Sequence, residues 1–161
     1  MTQIDKDFLL KDLCARLPYG VLGAYSWKGG NPYLRELTGS LCAELISSWS
    51  STEDSLFFPY LRPMSSMTEE ELREFAMLKF KNDDIWEIDE FPEMKFGFKG
   101  FINIRCRNKN NGDTWIYQVN TRTPLKTYWG IDWLNSHHFD YRGLIEKGLA
   151  LEAPEGMYKD E

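Results

Sequence analysis

Apolar residues near the start of the chain recur with the spacing of one helix face. They occupy the i, i+3, i+4 and i+7 positions at Leu10, Leu13, Cys14 and Leu17. Pro18 disfavours helical backbone at the residue before it and so ends such a helix. The pattern therefore predicts a first helix over about residues 3–16.

A period of two replaces the helical period over about residues 95–122. One face of the predicted strands is apolar and comprises Phe96, Phe98, Ile102, Ile104, Trp115 and Tyr117. The other face carries the cations with one aromatic ring, at Lys95, Lys99, Phe101, Arg105, Arg107 and Arg122. Asn111-Gly112 lies between the two runs, and Asn-Gly favours a tight hairpin turn. Because side chains alternate along a strand, the pattern predicts a β-hairpin with one apolar face.

A second helix is predicted over about residues 69–80 from the residues at its start. Thr68 and Glu71 have the spacing of a capping box, in which each side chain binds the backbone N–H of the other. Met67 stands at the position of a hydrophobic staple. The side chains expected to cover the hairpin's apolar face are Leu72, Phe75 and Phe80.

The remaining segments carry shorter patterns. Residues 21–27 are expected to form a strand, whereas residues 33–38 and 41–47 fit either a hairpin or a strand followed by a helix, because short apolar runs do not distinguish the two. Near the end of the chain, residues 131–137 predict a helix. Asp140 is placed to cap a further helix over 141–147, and Gly148 suits its end.

Together these elements predict an α+β fold, in which an antiparallel sheet with a central Asn-Gly hairpin has helices packed on one face. A single domain over residues 1–161 is expected. The alternative is a subdivision near residue 94, where an acidic stretch over 82–93 meets a basic stretch over 95–126. It would separate a helix and strand part, 1–93, from a hairpin and helix part, 94–161.

Composition limits the class of protein. The chain has 161 residues, a net charge of −6 and 15% aromatic residues, which favours a folded domain with a real core. No apolar run approaches the roughly 18 residues of a membrane helix, and the first residues lack the basic region of a secretory signal. The three cysteines, Cys14, Cys42 and Cys106, are widely spaced, so reduced thiols and a cytoplasmic location are expected.

Candidate chemistry is sparse. The run His137-His138-Phe139-Asp140 contains metal-ligand residue types, but adjacent residues of a helix point about 100° apart and no metal-binding spacing is present. No nucleophile motif, phosphate loop or complete dinucleotide fingerprint occurs. The sequence therefore predicts no catalytic residue, metal or cofactor, and leans away from an enzyme. An enzyme acting on a small molecule through an unrecognised site stays as an alternative.

The preferred hypothesis is an intracellular accessory protein that acts through a protein partner or through self-association. Aromatic and arginine side chains anchor such contacts, and the candidates are Trp27, Trp49, Tyr60 and Arg62. The alternative is binding of single-stranded nucleic acid by the cationic hairpin face, where cations would meet phosphates and Phe101 would stack on a base. The overall charge of −6 opposes that alternative.

Three stretches resemble a family of small proteins found in gut Bacteroides genomes and in their phage-like or mobile elements. They are residues 13–21 (LCARLPYGV), 59–71 (PYLRPMSSMTEEE) and 132–158 (DWLNSHHFDYRGLIEKGLALEAPEGMY). The family has no assigned activity, so the resemblance implies no catalytic residues. It implies a cytoplasmic protein of a bacterium or phage.

Overall fold

The structure is a computed structural model and describes residues 1–27, 29–49, 55–80, 85–90, 101–120 and 130–158. The chain forms two compact units. The first contains residues 1–63 and 135–161, and the second contains residues 64–134. The change of charge sign near residue 94 falls inside the second unit. The predicted α+β class is confirmed.

The first unit combines two helices with a four-stranded sheet. In chain order its elements are α1 (Gln3–Arg16), β1 (Leu22–Ser26), β2 (Tyr33–Glu36), α2 (Gly39–Trp49), β3 (Leu56–Leu61) and β7 (Leu151–Glu152). The sheet order is β2-β1-β3-β7, with antiparallel pairs except for the parallel pair β3–β7. Thr2 caps α1 by a capping box with Asp5, and α1 covers the span that the apolar spacing predicted.

The core of this unit lies between the helices and one face of the sheet. Alternate residues of β1 and β3 are buried, among them Tyr25 and Phe57, which lie opposite each other in the ladder. They pack with fully buried leucines of the two helices, which are Leu9, Leu13, Leu41 and Leu45. Gly23 leaves room for the Phe57 ring, since a Cβ there would lie 2.4 Å from it.

Residues 41–47 form part of α2, which decides between the two readings that the sequence left open. The Thr38 hydroxyl accepts from the backbone N–H of Leu41, 3.2 Å away, and so satisfies a donor at the start of the helix. The stretch around Pro59 forms strand β3. The Pro59 nitrogen points away from β1, and the pairing of β3 with β7 begins only at Tyr60. Proline at this position therefore removes no hydrogen bond from either ladder.

The second unit contains the predicted hairpin. Its elements are α3 (Glu69–Phe80), β4 (Trp86–Glu90), β5 (Phe101–Asn108) and β6 (Thr114–Asn120), and the chain leaves it in α4 (Ile131–Ser136). The strand order is β4-β5-β6, antiparallel throughout. Thr68 and Glu71 form the predicted capping box, with N···O distances of 2.8 and 3.2 Å.

The hairpin has the predicted register where its side chains are described. Cys106 is buried and Arg105 and Arg107 are exposed, so the cationic and apolar faces are as expected there. Trp115 lies opposite Cys106 but is 64% exposed, so its side chain is not buried as predicted for the apolar face. Phe96 and Phe98 lie outside the described residues, and nothing is described for the side chains of Ile102, Ile104 and Tyr117.

Phe75 is buried as predicted and contacts the ring of Trp133, with centroids 5.3 Å apart. The predicted helix over 141–147 is a succession of turns. Asp140 nevertheless binds backbone N–H groups there as a cap would, and Gly148 has the left-handed φ of 67° expected at its end.

Candidate functional site

Two of the four residues predicted to bind a partner lie beside the first sheet. Trp27 is 48% exposed and lies in the turn that links β1 to β2, where its carbonyl accepts from the N–H of Gly30. Trp49 is half-buried at the end of α2, and its indole N–H donates to the carbonyl of Ser55 at 2.9 Å. Trp49 thus holds the start of β3.

The other two, Tyr60 and Arg62, contact the returning C-terminal segment. The Tyr60 carbonyl accepts from the Tyr158 hydroxyl at 2.9 Å. The Arg62 guanidinium lies over the Phe139 ring, 4.3 Å from its centroid, and the Arg62 backbone bonds His138 and Asp140. Trp49 therefore lies at the start of β3, whereas Tyr60 and Arg62 lie at its other end.

The cationic hairpin face lies beside an acidic strand. Arg105 and Arg107 are exposed on β5, and the β4 register places Glu90 opposite Arg105 and Glu87 opposite Arg107. Arg107 forms an ion pair with Glu87 at 3.1 Å. Of the other residues predicted for nucleic acid, Phe101 is placed by its backbone alone, and Lys95, Lys99 and Arg122 lie outside the described residues.

The edge strand β2 exposes apolar side chains and unpaired backbone together. Tyr33 is 54% exposed and Leu34 is 57% exposed. Leu37 N–H donates to the Val21 carbonyl, so the alternation of an antiparallel ladder directs the N–H and C=O of Leu34 and Glu36 away from β1. No other strand within the described ranges pairs with this edge. We refer to Tyr33–Glu36 with these outward backbone groups as the β2 edge.

Two side chains on the inner face of the β2 edge, Tyr33 and Arg35, contact neighbouring side chains of the first unit. The Tyr33 ring meets the Tyr25 ring edge-on with centroids 5.5 Å apart, and the Arg35 guanidinium lies 4.9 Å from the same ring. Arg35 also pairs with Glu44 of α2 at 3.4 Å, and the Tyr25 hydroxyl donates to that carboxylate. Burial and the bond to Glu44 raise the pKa of Tyr25. Ordering these side chains before binding lowers the entropy cost of a contact.

A buried polar cluster lies where α1 meets the C-terminal segment. Asp12 and Arg16 are both fully buried and form an ion pair at 2.6 Å, one helical turn apart. Arg16 also donates to the Phe139 carbonyl at 2.8 Å, and Arg142 lies 3.4 Å from the Asp12 carboxylate. Each charge therefore has a charged or carbonyl partner inside the protein, which gives the cluster a structural role.

Tyr158 inserts its hydroxyl between two strands. The paired residues of β1 and β3 end at Gly23 and Pro59, and in a continued antiparallel ladder Leu22 and Tyr60 would be the next pair joined by hydrogen bonds. The Tyr158 hydroxyl lies between these two residues instead. It accepts from the Leu22 N–H at 2.9 Å and donates to the Tyr60 carbonyl. The buried His138 ring stacks on the Tyr158 ring, with the two centroids 3.7 Å apart. The backbone of His138 has a positive φ of 59°.

Tyr158→Phe is expected to lower the free energy of unfolding by about 1 kcal/mol, because the partly buried Leu22 N–H loses its acceptor. Burial raises the pKa of Tyr158 to about 12, so the folded protein retains this proton at a pH where the unfolded chain releases it. The stabilisation is therefore present below about pH 10 and is lost as the pH rises towards 12. Urea titrations at several alkaline pH values measure it. An equally steep alkaline loss in Tyr158→Phe would contradict this role.

The residues His137 and Asp140, whose side chains could bind a metal, make hydrogen bonds to neighbouring protein groups. Both Asp140 oxygens accept backbone N–H groups, from Leu144 at 2.8 Å and Ile145 at 2.9 Å. His137 contacts Ser136 through its Nδ1. No group of three or more His, Cys, Asp or Glu within the described ranges is arranged to hold a metal ion. No described helix has the length and apolar character needed to cross a membrane.

Sequence reasoning missed the β2 edge and the role of Tyr158. The sequence signal for the edge was Thr38, a residue type that favours the start of a helix. Because residues 39–49 form a helix, they do not supply the strand that a hairpin would have placed beside β2. Tyr158 has no local signal, since its partners lie 98 and 136 residues earlier in the chain. Comparisons with protein-family models, curated proteins and solved structures found no match to this chain.

Proposed function

We propose that this chain is a non-enzymatic accessory protein of the cytoplasm that acts by binding a protein, either a different partner or another copy of itself. The β2 edge carries the proposal. It combines outward N–H and C=O groups with exposed Tyr33 and Leu34 side chains, and an added strand can use both. An edge strand offers its outward backbone groups to another chain, and no strand within the described ranges covers this one.

The charge distribution supports this function over nucleic-acid binding. The ion pair of Arg107 with Glu87 and the position of Glu90 opposite Arg105 reduce the positive charge of the hairpin face. The net charge of −6 acts in the same direction, because it repels phosphate at long range.

Leu34→Pro is expected to abolish partner capture without unfolding the protein. The Leu34 N–H points away from β1, so proline there removes an edge donor and no bond of the β1–β2 ladder. The measurement is affinity capture by the tagged chain from a lysate of a gut Bacteroides strain, the source that the resemblance implies, with and without nuclease. Proteins that resist nuclease and disappear with Leu34→Pro support the proposal.

Ile4→Lys is the control, because Ile4 is 80% exposed on α1 and distant in sequence from the edge. This variant should capture the same proteins as the unmodified chain. Recovery of nucleic acid that salt weakens steeply and that Arg105→Glu/Arg107→Glu abolishes would overturn the proposal in favour of nucleic-acid binding.

A further inference from the structure

We infer that the partner of the β2 edge is a second copy of this chain, paired antiparallel with the same edge about a two-fold axis through Leu34. The inference rests on the proposed function and narrows it to self-association. In a two-fold contact the same surface of both copies meets, so the edge has to complement itself.

The backbone of the β2 edge permits this register. Leu34 and Glu36 carry the outward groups, so they are the positions that can bond across a new ladder. With Leu34 opposite Leu34 of the second copy, two N–H···O=C bonds cross the axis. Glu36 then lies opposite Pro32 of the second copy, and its N–H donates to the proline carbonyl on each side.

The side chains are compatible with the same register. It places Arg35 opposite Tyr33 of the second copy, and a guanidinium beside an aromatic ring is a favourable pair. Both side chains are already held against the Tyr25 ring of their own chain. Moving the axis to Arg35 would oppose two guanidinium groups, and moving it to Glu36 would oppose two carboxylates, which is unfavourable in either case.

The opposite face of the sheet gains a continuous apolar row. Leu34, Ala24 and Phe58 lie side by side across β2, β1 and β3. Pairing at Leu34 joins this row to the same row of the second copy. Because β2 is only four residues long, the contact is small, and the dimer is expected to be weak.

Sedimentation equilibrium tests the inference. The protein concentration is varied between about 10 µM and 1 mM, because small interfaces have dissociation constants in this range. The average mass of the unmodified chain and of Ile4→Lys should rise towards twice the monomer mass. Leu34→Pro and Leu34→Lys should stay monomeric, the second because two ammonium groups would meet at the axis. The lysine variant keeps the test valid if the proline variant does not fold.

Disulfide trapping tests the register. The background variant is Cys14→Ser, because Cys14 is an exposed cysteine whose thiol would compete. In this background Leu34→Cys places the thiols of the two copies opposite each other. Oxidised glutathione converts the two thiols to a disulfide and is itself reduced to two molecules of glutathione. Glu36→Cys serves as the matched control, since its thiols would be separated along the strands by several residues. The Leu34 variant should cross-link at least tenfold faster. Equal rates would overturn this register.

The outcomes separate the inference from the proposed function. A monomer at 1 mM, together with captured proteins that are lost in Leu34→Pro, overturns self-pairing and leaves the binding function in place. A monomer whose capture does not depend on Leu34 overturns both.

Discussion

Asp12→Ala is expected to lower the free energy of unfolding by about 3–5 kcal/mol, because it leaves the fully buried Arg16 guanidinium without its counter-charge. Arg142 loses the same carboxylate, but it is partly exposed and can turn to solvent. Urea or guanidinium titration of the purified variant measures the loss. The effect is large because a buried charge cannot regain the hydration that it gave up on folding.

Two comparisons show whether the loss comes from the buried charge. Asp7→Asn on the same helix removes an exposed charge and should cost less than about 0.5 kcal/mol. The double variant Asp12→Leu/Arg16→Met replaces the pair with apolar side chains and should recover much of the stability lost in Asp12→Ala. A double variant less stable than Asp12→Ala would contradict the argument.

Asp140→Ala is expected to cost about 2–4 kcal/mol, because its carboxylate binds two N–H groups by charge-assisted hydrogen bonds. One of these N–H groups belongs to Leu144, whose side chain is fully buried in the core of the first unit. The turns at 141–148 therefore depend on this carboxylate for their conformation. Asp140→Asn retains an acceptor oxygen and should lose about half as much, as thermal or chemical unfolding would measure.

Glu146→Gln is the control for Asp140, since Glu146 is an exposed acid in the same turns. It should unfold like the unmodified chain. If Asp140→Ala were also neutral, the two backbone N–H groups would have to find other acceptors, and Asp140 would not be the residue that organises this segment.

Local signals predicted much of the fold. The spacing of Leu10, Leu13 and Leu17 and the restriction at Pro18 define α1 without tertiary information, and Thr68 with Glu71 does the same for α3. The Asn-Gly pair marks the position of the hairpin loop, and Gly112 adopts the left-handed φ of 78° that favours glycine. These features depend on residues close together in sequence, so sequence alone carries them.

Features made by distant residues could not be predicted in the same way. Residues 41–47 fit either a strand or a helix, and that choice determines whether the β2 edge is covered. Trp49 and Tyr60 were predicted as binding residues from their residue types alone, and sequence did not show that the Trp49 indole donates to the Ser55 carbonyl or that the Tyr60 carbonyl accepts from Tyr158. Residue type predicts what a side chain can do, whereas its neighbours decide how it is used.

The return of the chain to the first unit imposes an order of folding during synthesis. Leu22 and Tyr158 are 136 residues apart, so at ~5–20 residues per second the ribosome makes the second roughly 7–27 s after the first. Throughout that interval the N-terminal sheet lacks β7 and the hydroxyl that joins β1 to β3. The second unit is continuous in sequence and can fold as it emerges. Among the described residues, β3 as well as β2 is therefore an edge strand of this sheet until β7 is made, and an edge strand can pair with another chain.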